Sequence, residues 1–508
     1  MSSTPVADAM DSIEIGSPAG APLLDPPFSP ARRRNRLSRE TLDLIPDALR
    51  LIDFVVLILS ILYFYPLLRS TLPSDTWLAH FENITAGIVV TPFILQTLGL
   101  YGTRVLLSPG RTVMAVLWGF GLLALAMLGF CFATGTVDYP SLLWGGLWST
   151  SSFVVFLTTR LALAQTIASL ARRGVLSDSV AIVGGGSRAD RLVAHLSTRH
   201  LWQPYRCPIG VVGIFDDRHN RLPAGCLTVG GTLDDLIALG KEGAFDSVIL
   251  TLPWSAEQRL LEIRNKLQAL AINVSLCPDG LEFPALSRGK FRVEDPPFYP
   301  LAERPLRRWN AVAKRCEDIV LASLALLFFG PLMVLVAVAV KLDSPGPALF
   351  RQRRHGFNNR EIEVYKFRSM RHDMTDRSGA LQARRGDSRI TRLGSFLRRT
   401  SIDELPQLLN VWKGDMSLVG PRPHPVGMKT QDKFCHEIVA TYFHRHRVKP
   451  GITGWAQVNG YRGATSEVDD LVKRVEYDLF YIENWSLLFD LKIMLKTVRS
   501  VLSTENAY

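Results

Sequence analysis

The residues of this sequence best suited to covalent chemistry are two adjacent acids, Asp403 and Glu404, which follow two arginines, Arg398 and Arg399. Their surroundings are strongly basic, because residues 351–400 contain fourteen lysines and arginines against five aspartates and glutamates. A carboxylate beside cations can bind a divalent metal ion, and it can attack phosphorus while the cations disperse the charge of a pyrophosphate. The pair is therefore a candidate site of phosphoryl chemistry.

A purely structural role for the same pair is also compatible with the local sequence. The stretch SIDELPQLLNV predicts a short helix with apolar residues on its buried side. Ser401 is then the predicted N-cap, and carboxylates in a first helical turn are favoured by the helix dipole. Spacing alone leaves both interpretations open.

The overall composition narrows the kind of partner. The chain has 508 residues, a net charge of +11 and 47% hydrophobic residues, which allows several domains and favours an anionic partner. Its basic segment is interrupted by apolar and turn residues, as in folded strands and helices, which favours an anionic small molecule or lipid headgroup over nucleic acid. The six cysteines form no C-x-x-C pair and predict neither a disulfide framework nor a zinc site.

Long apolar runs precede the basic region and predict four transmembrane helices, since almost no charge interrupts them and a soluble core is the weaker alternative. They approach the roughly 20 residues needed to cross hydrocarbon. The runs occupy residues 51–68, 84–102, 113–134 and 141–159. Cationic residues cluster before the first run, between the second and third, and after the fourth, so everything after residue 172 is expected in the cytoplasm.

The segment over residues 174–300 alternates apolar strands with amphipathic helices and predicts a parallel, Rossmann-like α/β domain. Gly184, Gly186 and Ala189 have the G-x-G-x-x-A spacing, which either seats a pyrophosphate at a helix N-terminus or only forms a tight turn. No tyrosine in the chain has a lysine four residues later, which argues against the chemistry of short-chain dehydrogenases and dehydratases.

A fifth apolar run, over residues 319–340, is also long enough to span a membrane. Cationic residues flank it on both sides, which favours both of its ends on one face of the membrane. Because Pro331 removes a backbone donor within the run, we expect a re-entrant helical hairpin over residues 316–341, with Ser323 as a candidate to satisfy the break. A spanning helix with a proline kink is the alternative.

Several further stretches resemble motifs of one protein family. They are, in chain order, KRCEDIVLASLALLFFGPLMVLVAVAVKLDSPGPALFRQRRHG, YKFRSM, RITRLGSFLRRTSIDELPQLLNVWKGDMSLVGPRP, VKPGITGWAQVNGYRG and YDLFYIENWSLLFDLKIMLKT. The segment that contains them resembles the bacterial sugar transferase domain of polyprenyl-phosphate glycosyl-1-phosphate transferases. The four apolar runs and the Rossmann-like module resemble the long form of this family, which includes undecaprenyl-phosphate glucose phosphotransferases of exopolysaccharide synthesis.

The resemblance implies a two-step reaction at the cytoplasmic face of the bacterial inner membrane. A UDP-sugar loses UMP to the Asp403 carboxylate, and undecaprenyl phosphate then attacks the phosphosugar-enzyme to give the polyprenyl-diphospho-sugar. Glu404 is implied as the acid-base or positioning partner, and Mg²⁺ is implied near Asp403. Phosphate or substrate contacts are implied for Lys366, Arg368, Arg398, Arg422 and Lys449.

The expected fold class is membrane α plus α/β, in four parts. These are a disordered tail over residues 1–46, a four-helix transmembrane domain over 47–173, the Rossmann-like domain over 174–300, and a monotopic α/β catalytic domain over 301–508 that contains the re-entrant helix. Glucose is the favoured hexose and galactose the runner-up, while a homo-oligomer stays open. A nucleotide-sugar dehydratase or oxidoreductase and a non-catalytic lipid-binding scaffold are the alternative functions.

Overall fold

Helices and strands follow one another in the order that the apolar runs and the α/β pattern predict. A computed structural model describes residues 44–71, 77–102, 105, 109–135, 137, 139–172, 178–202, 209–218, 227–277, 298–372, 387–461 and 467–502. The predicted disordered tail, residues 1–46, lies outside the described residues except for its last three positions.

The N-terminal part is helical, as its apolar runs predict. Its helices are α1 (Ile45–Thr71), α2 (Trp77–Thr97), α3 (Pro109–Thr134) and α4 (Tyr139–Arg172). Within the described part of the chain, three helical segments are long and apolar enough to cross a membrane: Gly110–Thr134, Gly145–Leu170 and Trp309–Asp343. Together with the sheet described below, they make the chain a membrane α/β protein.

A buried ion pair joins α1 to α4. The Arg160 guanidinium donates a hydrogen bond to the Asp53 carboxylate, and the two side chains are 0% and 3% exposed. A charge inside an apolar helix bundle is tolerated when it is paired, because an unpaired charge keeps its full cost of desolvation. Asp53 and Arg160 therefore fix the register of α1 against α4.

Removing one partner of this pair is expected to destabilise the bundle more than removing both. Arg160→Met leaves a buried carboxyl group without its partner, at a cost of about 3–5 kcal/mol, whereas the double variant Asp53→Leu/Arg160→Met recovers most of the loss. The melting temperature in detergent measures both effects. Arg50→Met, which breaks an exposed pair with Asp47, serves as the control with little change. Equal losses in the single and double variants would contradict this account.

The Rossmann-like domain is built on a five-stranded sheet with strand order β2-β1-β3-β4-β5. Its elements are β1 (Asp178–Val183), α5 (Ser187–Trp202), β2 (Ile209–Phe215), α6 (Leu233–Lys241), β3 (Ser247–Leu250), α7 (Glu257–Leu267), β4 (Asn273–Leu276) and β5 (Tyr299–Ala302). The first four strands are parallel, as predicted, whereas β5 pairs antiparallel with β4. The sequence pattern did not predict β5, because Pro300 weakens the strand signal, although an edge strand tolerates proline.

The predicted glycine turn connects β1 to α5. Gly184 and Gly186 have φ angles of +105° and +117°, which L side chains rarely adopt. The backbone N–H of Gly185 donates to the Asp216 carboxylate at 2.8 Å. Asp216 thus already bonds one of the backbone N–H groups that could otherwise bind a pyrophosphate. Binding of a pyrophosphate at this turn stays a prediction.

The C-terminal part contains the predicted site and combines one long helix with short paired strands. Its elements are α8 (Trp309–Asp343), β6 (Leu349–His355), β7 (Glu361–Phe367), α9 (Arg392–Arg399), α10 (Gln407–Lys413), β8 (Ser417–Val419), β9 (Lys429–Thr430), β10 (Lys433–Phe434), α11 (Cys435–Ile438), β11 (Gly451–Thr453), α12 (Trp455–Val458), α13 (Val468–Glu483) and α14 (Leu487–Leu502). Strands β6 and β7 form an antiparallel hairpin, β9 pairs antiparallel with β10, and β8 pairs in parallel with β11.

Helix α8 is longer than the predicted segment 316–341 and contains Pro331 within a single assigned helix. Ala322, in its N-terminal half, packs with Val364 of β7 and with Val411, and Val340, near its end, packs with Phe367 of the same strand β7. Pro331 frees the carbonyl of Leu327, four residues and about 6 Å of helix rise after Ser323. Because helical side chains tilt toward the N-terminus, Ser323 is directed away from that carbonyl and is poorly placed to bond it.

Candidate active site

The acidic pair lies in a single 3-10 turn, Ile402–Glu404, between α9 and α10. Ser401 adopts a left-handed conformation with φ of 58°, and its side chain makes no cap hydrogen bond. The predicted helix cap was therefore wrong: α10 begins only at Gln407, after Pro406, and the acids stand outside its first turn. Their side chains are available for contacts with the strands and loops around them.

Glu404 is held by two cations from different segments. Its carboxylate accepts hydrogen bonds from Lys366 Nζ at 2.7 Å and from the Arg422 guanidinium at 2.6 and 3.2 Å. Burial alone would raise the pKa of Glu404, but Arg422 and Lys366 outweigh it and hold that pKa well below its usual range. Glu404 is thus a permanent anion with both oxygens engaged, which fits a positioning role better than proton transfer.

Asp403 is in a different situation from its neighbour. Its side chain is buried, yet no hydrogen bond to its carboxylate is present among the described residues. Burial raises its pKa above the ordinary value, against the opposing charge of Lys366 and with the help of the adjacent Glu404. Its oxygens are therefore open to bond a substrate or an ion, as a nucleophilic carboxylate requires.

Arg398, the third predicted cation, reaches the same pocket from α9. Its Nε donates to Ser369 Oγ at 2.9 Å, and Asp403 is the opposing charge that acts on it most strongly. Burial lowers the pKa of Arg398, although a guanidinium stays charged at any physiological pH. Arg399, the adjacent arginine, is exposed, so the two arginines do not share one role.

Arg354 is a member of this site that sequence reasoning missed. Its Nη1 donates to the Pro423 carbonyl at 2.7 Å, and burial, together with the charge of Arg422, lowers its pKa to about 10. In the β6–β7 hairpin, position 354 pairs with 362 and position 350 with 366, so Arg354 and Lys366 lie on one face. Alternation along the strands could have found Arg354, but only once the register was known.

Two predicted phosphate contacts lie elsewhere. Arg368 donates to the carbonyls of Val340, Ser344 and Pro345 and so caps the end of α8. Lys449 lies beside Arg315 and Gly414, at the far end of α10, and is not among the charges that act on Asp403. Phosphate contacts for these two residues stay predictions.

The charges gathered around the acids do not balance. Four cations, Arg354, Lys366, Arg398 and Arg422, surround the two carboxylates. Burial lowers the pKa of Lys366, which indicates that its charge is incompletely compensated. The excess positive charge suits an anionic group of two charges, such as the pyrophosphate of a nucleotide-sugar.

The donor set around Asp403 fits Mg²⁺ in one way only. Mg²⁺ is usually held by one or two carboxylates together with substrate phosphates. The Asp403 oxygens are available, whereas those of Glu404 are engaged by Lys366 and Arg422. In the described ranges, no group of three or more His, Cys, Asp or Glu side chains could hold a metal ion. The residues therefore fit Mg²⁺ with Asp403 as its protein ligand and substrate phosphates as the remaining ligands.

A buried ionic network around Arg445 holds the loop that carries Arg422. Arg445 donates to the Arg422 carbonyl at 2.8 Å and pairs with Asp478 at 2.6 Å. His424 lies within 3.0 Å of the Arg445 guanidinium, and burial together with this charge holds its pKa well below the usual range. A neutral His424 keeps the loop fixed without adding a further charge to the pocket.

Comparison with known proteins identifies the family. Residues 309–504 match the bacterial sugar transferase family, and residues 96–278 match a CoA-binding domain. An UDP-glucose:undecaprenyl-phosphate glucose-1-phosphate transferase of Xanthomonas campestris pv. campestris is 39% identical over 373 residues, which cover 72% of this chain and 75% of that protein. The chain belongs to the bacterial sugar transferase family and, within it, to the polyprenyl-phosphate sugar-1-phosphate transferases.

Two further relatives carry related names. An undecaprenyl-phosphate glucose phosphotransferase of Komagataeibacter xylinus is 41% identical over 339 residues, or 66% of this chain and 60% of that protein. An UDP-glucose:undecaprenyl-phosphate glucose-1-phosphate transferase of Escherichia coli (strain K12) is 42% identical over 299 residues, or 59% of this chain and 63% of that protein. The aligned part thus spans less than two thirds of the length of these two relatives.

The two acids are expected to affect stability in opposite directions. Glu404→Gln leaves Lys366 and Arg422 buried without their anion, at a cost of about 3 kcal/mol, and lowers the melting temperature in detergent. Asp403→Asn removes a carboxylate whose charge burial disfavours, so the melting temperature stays equal or rises. Glu363→Gln, at an exposed pair 3.8 Å from Arg351, is the control. A loss in Asp403→Asn as large as that in Glu404→Gln would show that Asp403 is a structural anion.

Proposed function

We propose that this chain transfers glucose 1-phosphate from UDP-glucose to undecaprenyl phosphate and releases UMP, as the first membrane step of exopolysaccharide or capsule synthesis. The observation that carries the proposal is the contrast between the two acids. Glu404 is fully ion-paired, whereas the buried Asp403 carboxylate is surrounded by cations and has no hydrogen bond from the described residues. A lipid-binding scaffold does not require a buried carboxylate without a hydrogen bond, whereas a carboxylate nucleophile must keep its oxygens available for attack.

In the first step, an oxygen of the Asp403 carboxylate attacks the sugar-bearing phosphorus of the UDP-sugar. A P–O bond to Asp403 forms, and the bond from this phosphorus to the bridging oxygen breaks, so UMP leaves with that oxygen and its electron pair. Lys366, Arg398 and Arg422 act on Asp403 from several sides and can disperse the charge that develops on the pyrophosphate. The product of this step is a phosphosugar-enzyme.

In the second step, a phosphate oxygen of undecaprenyl phosphate attacks the same phosphorus. The P–O bond to Asp403 breaks and the carboxylate is regenerated, so neither step needs an oxidant or a reductant. One nucleophile thus serves both substrates in turn, which predicts ping-pong kinetics. Because the lipid tail stays in the bilayer and UDP-glucose stays in water, the reaction requires Asp403 to lie at the interface.

Asp403 is the residue that would hold Mg²⁺, together with the phosphates of the substrate. When bound, the ion would neutralise part of the pyrophosphate charge. The four cations already present disfavour a dication at Asp403 until the anionic substrate has arrived. Binding of the ion together with UDP-glucose follows from this charge balance.

Glucose is assigned from the names of the relatives rather than from the catalytic domain alone. A Caulobacter vibrioides relative named for UDP-glucose is 50% identical over 195 residues. An Aeromonas hydrophila relative named for UDP-N-acetylgalactosamine is 47% identical over 193 residues. Because these two relatives have similar identities but different sugars in their names, few residues of the catalytic domain are expected to select the sugar. Glucose is therefore proposed from the relatives that align over more of the chain.

The membrane arrangement proposed here has four transmembrane helices and a re-entrant α8 in the bacterial inner membrane, with the catalytic domain in the cytoplasm. Both ends of α8 pack on one domain, whereas Leu327 and Phe328, in its middle, are 80% and 76% exposed. Helix α14 also exposes apolar side chains on one face, and Lys492 and Lys496 lie beside that face. Such a helix suits the headgroup region of the inner leaflet.

Asp403→Asn is expected to abolish UMP release from UDP-glucose in the presence of undecaprenyl phosphate in detergent. With radiolabelled UDP-glucose and no lipid acceptor, the wild-type protein should retain label covalently and Asp403→Asn should not, because the amide is a far weaker nucleophile. Glu363→Gln is the matched control and should behave as wild type. Continued UMP release by Asp403→Asn would contradict the nucleophile, and a faster reaction with UDP-galactose or UDP-N-acetylgalactosamine would contradict glucose.

Single cysteines at residues 310 and 345, in a background without the six native cysteines, test the topology. Both are expected to react with a membrane-impermeant maleimide only in inside-out vesicles, because a re-entrant α8 returns to the cytoplasmic face. A cysteine in place of Ser74, between α1 and α2, is the control and should react from the opposite side. Labelling of positions 310 and 345 from different sides would establish a spanning helix instead.

A further inference from the structure

We propose that Asn358 and Arg360, at the tip of the β6–β7 hairpin, are positioning residues for the phosphoryl transfer. They bind the tip to the Rossmann-like domain, and the strands that leave this tip carry Lys366 and Arg354 to the acidic pair. The inference rests on the function proposed above and assigns the Rossmann-like domain a part in catalysis that needs no ligand of its own.

The tip is shaped to fit the Rossmann-like domain. Asn358 and Asn359 both have left-handed backbones, with φ of 56° and 58°, a conformation that asparagine tolerates better than most residues. Asn358 is buried, and its Oδ1 accepts a hydrogen bond from the Ala271 N–H at 2.6 Å, just before β4. Asn359 Nδ2 donates to the Ala269 carbonyl at 2.9 Å. The side chains of the turn therefore complete the backbone hydrogen bonding of the other domain.

Arg360 makes the second contact, at the end of α6. Its guanidinium donates to two carbonyls, that of Lys241, the last residue of α6, and that of Glu242, its C-cap. Helix C-terminal carbonyls lack partners within the helix and carry negative dipole charge, so a guanidinium satisfies both needs. Arg360 thus ties the start of β7 to α6 through charge as well as geometry.

The β6–β7 hairpin is a continuous paired element that links the position of its tip to that of the candidate active site. Seven residue pairs join β6 and β7, from His355 with Glu361 at the tip to Leu349 with Phe367 at the base. Lys366 lies five residues along β7 from Glu361, about 17 Å, and bonds Glu404 at 2.7 Å. Arg354, on the partner strand, bonds the Pro423 carbonyl next to Arg422. A shift of the tip therefore moves two of the four cations that surround Asp403.

Ordinary domain packing is the competing explanation for the tip contacts, and it predicts a different set of results. Packing alone affects stability and leaves the reaction unchanged. Positioning changes the rate of the chemical step with little effect on substrate affinity, because a displacement of about 1 Å near a reacting centre can cost up to roughly a hundredfold in rate.

Three variants and one control separate these explanations. Asn358→Gly keeps the left-handed backbone and loses the bond to Ala271, Arg360→Ala loses the contacts with α6, and Arg360→Lys keeps a cation that can reach the same carbonyls. The control is Lys266→Ala in the Rossmann-like domain, where Lys266 forms an exposed pair with Asp234 at 3.8 Å. The measurements are the UMP burst with UDP-glucose in detergent, amide exchange of the full chain, and acylation of Lys366 followed by mass spectrometry.

Asn358→Gly and Arg360→Ala are expected to slow the burst at saturating UDP-glucose roughly tenfold with KM little changed, and Arg360→Lys should recover most of the rate. Amide exchange over residues 361–367 and acylation of Lys366 should become faster, while exchange over β3 stays as in wild type. An unchanged burst rate in both variants overturns the inference, and so does a loss that Arg360→Lys does not recover. If the wild-type chain releases no UMP, the proposed function fails, and unchanged exchange and acylation would then overturn the linkage separately.

Discussion

The site depends on one buried interaction, the ion pair of Glu404 with Lys366 and Arg422. It joins strand β7, the 3-10 turn and the loop after β8, which are distant in sequence, at a single carboxylate. By engaging both oxygens of Glu404, the two cations also leave the adjacent Asp403 as the acid without a hydrogen-bond partner among the described residues. The environments of the two neighbouring carboxylates move their pKa values in opposite directions.

The pocket around Asp403 and Glu404 contains more positive charge than these two carboxylates neutralise, which is unfavourable for burying its cations. Lys366 and Arg354 have lowered pKa values because they are buried, and Asp403 has a raised one. Such strain is tolerable where a substrate supplies the missing charge. A pyrophosphate that enters this pocket replaces its lost hydration with preorganised cations, so the same residues that weaken the empty fold would strengthen binding and lower the barrier.

The sequence could predict what depends on local pattern. Apolar runs predicted the helices, strand and helix alternation predicted the Rossmann-like sheet, and the SIDELPQ stretch drew attention to the acidic pair. The Ser401 cap was wrong because Ser401 adopts a left-handed conformation, which no local propensity signals for serine. Arg354 was missed because its proximity to the acidic pair depends on which segments meet in space. Register and long-range proximity are properties of the fold, and a motif read in chain order does not contain them.

Helix α8 is anchored to the C-terminal part of the chain on both sides of its apolar middle. At its start, Lys314 pairs with Asp490 of α14 at 2.6 Å, and Asp318 accepts hydrogen bonds from Ser417 and Leu418 of β8. At its end, Arg368 caps the helix through three carbonyls. The apolar middle, where Leu327 is 80% exposed, has no protein cover and needs hydrocarbon.

Arg368 directly follows β7 and lies only two residues after Lys366, so this strand positions both the residue that caps α8 and a cation bonded to Glu404. The distance between Asp403 and the point where α8 enters its apolar surroundings is therefore set by β7, a rigid element, rather than by a flexible linker. A lipid phosphate is held near the bilayer surface by its own tail, and a nucleophile with a fixed depth can meet it without a separate conformational search.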